Sequence, residues 1–156
     1  MPYTLLIERE PVSVNSKTDH SEYEKELLNL MKEKYPLNPG SKTHYSRTDK
    51  LYVQLLYICK RRCDRDIDNI LKYIIDSFRK YLYKDDSQIG YALSQSLICK
   101  ENELSVLNLS DFEESIGEKI LEFLTSDDRD WKSCTYFECG VMTDKFYHTN
   151  LEELWK

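Results

Sequence analysis

Between residues 51 and 83 the chain changes its apolar pattern once, and that change restricts the folds open to it. Leu51 to Cys59 is an apolar run that reads as a strong strand. After a basic turn, Ile67, Ile70, Leu71, Ile74, Phe78 and Leu82 recur at three- and four-residue steps. That spacing predicts a helix over residues 67–83 with one buried face. Asp68, Lys72, Asp76 and Arg79 fall on its opposite side.

The flanking segments extend the pattern. Tyr3 to Glu8 predicts a short strand. Ser21 to Lys34 predicts a helix with Tyr23, Leu27, Leu30, Met31 and Lys34 along one side, ended by Pro36. Residues 36–50 form a loop rich in turn residues. Gln88 to Cys99 and Leu104 to Leu109 predict a hairpin around Lys100–Glu103. The order β-α-β-α-β-β implies an α+β fold, a sheet with helices packed on one face. Beyond it, Ser110 is a candidate cap for a helix from Phe112 to Leu124, with Ile116, Ile120, Leu121 and Leu124 as its apolar stripe. An acidic turn at Asp127–Asp130 and a strand from Thr135 to Met142 follow. Phe146, Tyr147, Leu151, Leu154 and Trp155 would then dock on the core. The expected organisation is a core over residues 1–110 and an acidic extension over 111–156 packed on it. A chain of 156 residues, 40% hydrophobic with only four glycines and four prolines, suits one folded domain.

The chemistry-bearing residues cluster at the two ends of the predicted 67–83 helix. Asp66 and Asp68 stand at its start, and Asp85 and Asp86 just past its end. Carboxylates converging from both ends of a helix can hold a hard cation through oxygen. Lys60, Arg61, Arg62 and Arg65 lead into the first pair and can hold phosphates. Together they predict metal-assisted cleavage of a phosphodiester. Asp66, Asp68 and Asp86 would coordinate one or two Mg²⁺ ions, and Lys72, one turn beyond Asp68, would hold the scissile phosphate or neutralise the transition state. A plainer use exists for each group: Asp66 as an N-cap, Asp68 against the helix dipole, Lys72 in an i, i+4 ion pair, the arginines as a solvated turn.

The segment Arg65-Asp66-Ile67-Asp68-Asn69-Ile70, with Lys72 and then Asp85-Asp86-Ser87-Gln88-Ile89, resembles the RusA family of Holliday junction resolvases. That family carries a basic run, an RDxDN helix start, a lysine on the next turn and a DDxQ[IV] segment before a strand. Weaker matches stand in order at Pro11-Val12-Ser13-Val14-Asn15 and at Glu103–Leu109. The resemblance covers about residues 1–110 and agrees with the α+β architecture. It implies a homodimer that binds four-way DNA junctions and nicks two strands of like polarity, in recombination and repair. Two sites related by a two-fold axis suit a substrate of approximate two-fold symmetry. The long loop and the C-terminal segment depart from a compact family member. Two other readings stand beside it: a catalytically idle DNA- or protein-binding module of the same fold, and a nuclease for flaps or other branched DNA.

A net charge of −6 does not suit a nuclease until it is divided. Residues 1–59 hold eight basic and eight acidic side chains, residues 60–100 nine and six, and residues 101–156 five and fourteen. The motif-bearing middle is therefore positive and the acidity lies in the tail, which could mask a basic DNA surface or stay in solvent. No run of eighteen apolar residues occurs, so no membrane span is expected, and the N-terminus lacks the pattern of a signal peptide. Five cysteines, an odd count, point to reduced thiols and a cytoplasmic setting. Cys134 and Cys139 with His148 could suggest zinc, but the spacing is loose and buried thiols explain them better. His44 and His148 read as surface or loop histidines.

Overall fold

Every strand predicted wholly within the described residues forms, but the sheet they build orders them differently from the chain. The computed structural model describes residues 2–12, 20–99 and 107–143. The elements are β1 (Tyr3–Ile7), α1 (His20–Lys34), β2 (Leu51–Cys59), α2 (Ile67–Phe78), β3 (Ile89–Ile98), α3 (Glu114–Thr125) and β4 (Ser133–Val141). Short 3₁₀ turns lie at Asp86–Gln88 and Leu109–Asp111. The sheet runs β1-β4-β2-β3. β2 pairs with β3 in parallel and with β4 antiparallel, and β4 pairs antiparallel with β1. A parallel pair needs a crossover connection, and α2 supplies it. The architecture is α+β.

Both faces of the sheet are covered. Leu5 and Ile7 of β1, alternate residues Leu51 to Tyr57 of β2, and Phe137 and Cys139 of β4 face α1 and α2. Tyr23, Leu27 and Met31 from α1, and Ile70, Ile74 and Phe78 from α2, close that core. The alternate residues Ile58, Cys134 and Tyr136 pack instead with Ile116, Ile120 and Phe123 of α3. The expected one-sided packing thus holds for α1 and α2, while α3 covers the other face. Leu30 and Leu121, placed on buried stripes from the sequence, are 40% and 44% exposed, and Phe123 takes the buried place on α3.

Three boundaries differ from expectation. α2 ends at Phe78, five residues early. Lys80 adopts φ 70° and its N–H donates to the Tyr83 carbonyl at 2.7 Å. The Tyr83 hydroxyl donates to the Ile75 carbonyl at 2.5 Å, the acceptor that the Arg79 N–H would use if the helix continued. Burial of Tyr81, Leu82 and Tyr83 rewards the fold-back. The strand predicted at Leu104–Leu109 lies mostly outside the described residues, and Leu109 itself opens a 3₁₀ turn. Ser110 caps nothing: the Asn108 side chain accepts from its N–H at 3.2 Å, and α3 starts at Glu114. The expected docking of Phe146, Tyr147, Leu151, Leu154 and Trp155 lies outside the described residues.

The cysteines also differ. Cys59 and Cys63 are joined in a disulfide, where free thiols were expected, because the turn after β2 returns Cys63 beside the strand end with a Cα–Cα distance of 5.6 Å. Cys134 and Cys139 sit on opposite faces of β4, so they cannot share an ion. Burial raises both thiols, Cys139 to about 12.

Candidate active site

The start of α2 leaves its acidic side chains uncommitted. Asp66 occupies the N-cap position with φ −70° and ψ 123°, and its carbonyl accepts from the N–H groups of Asn69 and Ile70. Its carboxylate makes no capping hydrogen bond, so plain capping does not account for it. Asp68, Lys72 and Asp76 follow at four-residue steps on the exposed face of the helix. Among the described residues no ion pair closes between Lys72 and either aspartate. Below them, Ile70, Ile74 and Phe78 anchor the buried face in the core.

The Asp85–Gln88 turn divides its residues between scaffold and surface. The Asp85 carboxylate accepts from the Ser87 N–H at 3.0 Å and lies 4.0 Å from Arg79. Gln88 is buried, and its Oε1 accepts from the N–H groups of Lys84 (2.9 Å) and Asp85 (3.3 Å). Its Nε2 donates to the carbonyls of Ser46 (2.8 Å) and Asp49 (3.3 Å). One amide therefore ties the acidic turn to the loop before β2. That fixes Asp86 at the foot of β3 with an exposed side chain.

Asp68, Lys72, Asp76 and Asp86 line one open pocket of about 330 Å³, with Ile75 and Ile89 in its wall. The structure thus brings together three of the four residues predicted to be catalytic. Asp66 is not among the lining residues. Asp76 was not predicted for the site, although the i, i+4, i+8 stripe from Asp68 through Lys72 carried the signal. The Asp86 carboxyl is pushed up by its hydrogen bond with Asp85, by partial desolvation and by the negative charges of Asp85 and Asp76. Asp85 is held down, first by the Ser87 N–H and then by that same hydrogen bond to Asp86. The negative charges that raise the Asp86 carboxyl would also favour a cation held there. The donors are all carboxylate oxygens, the chemistry a hard cation prefers. Among the described residues no three Asp, Glu, His or Cys side chains already close into a ready cage.

The basic run is divided in the same way. The Lys60 ammonium donates to the Ser126 carbonyl at 2.9 Å and lies over the rings of Phe123 (4.9 Å) and Trp131 (5.7 Å). Arg65 donates through Nε to the Pro11 carbonyl at 3.2 Å, holding the segment after β1. Arg62 pairs with Asp64 at 2.5 Å, the arginine largely in solvent and the aspartate about one third exposed. Arg61 is exposed, with no ion pair among the described residues. Lys60, Arg61 and Arg62 line a second, larger groove of about 890 Å³, separate from the acid pocket, where they meet Asp127, Asp128 and Trp131.

Among the described residues no helix is long and apolar enough to cross a membrane. A search of curated proteins gave no match. A family model, that of the endodeoxyribonuclease RusA, matches residues 12–106, more than half of the 156-residue chain. The matched segment contains α2, the Asp85–Gln88 turn and every lining residue of the acid pocket. The chain belongs to the RusA endodeoxyribonuclease family.

Proposed function

We propose that the protein is an Mg²⁺-dependent endonuclease that resolves four-way DNA junctions by paired phosphodiester hydrolysis, in recombination and repair. The observation that supports this reading is the pocket that Asp68, Asp86 and Lys72 line inside the family-matched segment. Asp68, from the first turn of α2, and Asp86, from the turn before β3, would hold the metal, and Asp66, at the N-cap, would complete the set. The ion supplies Lewis acidity and a water of lowered pKa. Lys72 neutralises charge on the non-bridging oxygens of the phosphate, from a helix face rigidly backed by Ile70 and Ile74. Asp85 and Gln88 position Asp86 and stay out of the chemistry. Arg61 and Arg62 meet the DNA backbone from the end of β2. A homodimer would present two such pockets to the two strands of like polarity.

Purified protein should be incubated with labelled four-way junctions, flaps and linear duplexes, with and without Mg²⁺. Metal-dependent paired nicking confined to junctions supports the reading. Cutting of flaps at equal rate would make the protein a general branched-DNA nuclease. Binding without cleavage in any divalent metal would leave an idle binding module.

A further inference from the structure

We propose that the groove at the end of β2 is a second DNA-binding site, which takes the phosphate backbone of an arm leaving the active site. Its added contacts are Arg129 and Lys132. This rests on the nuclease reading above. Both residues lie beyond the segment matched by the family model.

Two separate stretches build it. The turn after β2 carries Arg61 and Arg62, and the turn between α3 and β4 brings Arg129, Trp131 and Lys132 against them. Pairing of β4 with β2 fixes the approach, with Cys59 opposite Ser133 and the Lys60 N–H donating to the Lys132 carbonyl at 3.2 Å. Lys60 then locks the turn through Ser126 and the rings of Phe123 and Trp131. Its charge is spent on the fold, while the cations of Arg61, Arg129 and Lys132 meet no acidic partner among the described residues.

The charge balance favours an anion. Five cations and three carboxylates line the groove. Asp64 is occupied by Arg62, and Asp128 accepts from the Asp130 N–H at 2.9 Å to close its own turn. Asp127 alone opposes a phosphate without other employment. Distance favours the same ligand. Asp64 lines the groove and Asp68 lines the acid pocket, and four residues span at most about 14 Å. A DNA strand advances about 3.4 Å per nucleotide, so no more than roughly four steps separate the nearest walls of the two sites.

The test is the affinity of the full chain for a fluorescent four-way junction, measured by anisotropy without divalent metal, between low and moderate salt. Arg129→Gln with Lys132→Gln should weaken binding roughly tenfold at low salt and make the dependence of log K on log salt shallower by about 1.8, from two lost phosphate contacts. Arg129→Lys with Lys132→Arg should restore both. Asp127→Asn should tighten binding. A thermal scan should place both double variants at the wild-type midpoint, since these side chains are exposed. Wild-type affinity and slope in the glutamine variant would overturn the proposal while leaving the nuclease reading intact. Failure of the wild-type protein to bind the junction at any salt would overturn both.

Discussion

The acid pocket and the basic groove are assembled at different ranges in the sequence. All four charged residues of the pocket lie between Asp68 and Asp86, on one helix and the turn that follows it. The groove joins residues 60–64 to residues 124–132, brought together only because β4 inserts beside β2. Both regions nevertheless sort their charged residues by one rule. Side chains with firm partners, Gln88 and Asp85 in one and Lys60 in the other, hold backbone in place. Side chains without such partners among the described residues, Asp68, Lys72, Arg61 and Arg129, are left to meet a ligand.

The largest effect should come from breaking the link between the regions. A chain ending at Ser110 loses α3 and β4. Among the described residues β1 pairs only with β4, so it would lose that strand partner, and the main core would lose Phe137 and Cys139. We expect no cooperative thermal transition by circular dichroism. A 1–110 fragment that melts cooperatively near the full-length midpoint would show the pocket to be independent of the groove.

Asp68→Asn tests the pocket alone. The amide keeps the shape and loses the charge that a hard cation needs. Losing several kcal/mol of transition-state stabilisation corresponds to a cleavage rate lower by roughly a thousandfold. Junction affinity without metal should hold or rise, because a carboxylate repels phosphate. Normal cleavage by Asp68→Asn would remove this residue from the site.

These two predictions differ in how far sequence reasoning reached them. The pocket was legible because its signals are local: the apolar period of Ile67, Ile70, Ile74 and Phe78 fixes which way Asp68 and Lys72 face. The early end of α2 was not, since no glycine or proline marks Lys80. The helix stops there because Tyr83 reaches back to Ile75 and buries its ring. β4 was legible as a strand but not as an interior one, because antiparallel partners are chosen across the whole chain. For that reason the groove was invisible, and so was the hold of the Lys60 ammonium on the Ser126 carbonyl and on the rings of Phe123 and Trp131. Asp76 was on the predicted face and was passed over because it lies outside the paired acidic motifs.

Gln88→Ala probes the scaffold half of the pocket. It strips partners from two N–H groups and two carbonyls at a buried position. We expect a loss of about 2–3 kcal/mol in urea unfolding, with reduced cleavage as Asp86 shifts. Unchanged stability would mean that water replaces the amide and that the DDxQ pattern has another cause.

The smallest and sharpest contrast lies between neighbours. Lys60→Met keeps the length of the side chain but loses the ammonium that meets a carbonyl and two rings, at a cost of about 1 kcal/mol in stability. It should change the salt slope of DNA binding less than the loss of a phosphate contact would, because that ammonium is tethered to a carbonyl and two rings of the protein. Arg61→Gln should do the reverse, with no change in the unfolding midpoint and a slope shallower by about 0.9, one phosphate contact. If both variants reduced the slope equally, the distinction between held and available cations would fail at the groove. The acid pocket, where the same distinction separates Asp85 from Asp86, would then need Asp85→Asn compared directly with Asp86→Asn in the cleavage assay. A loss confined to Asp86→Asn would keep the rule for the pocket alone.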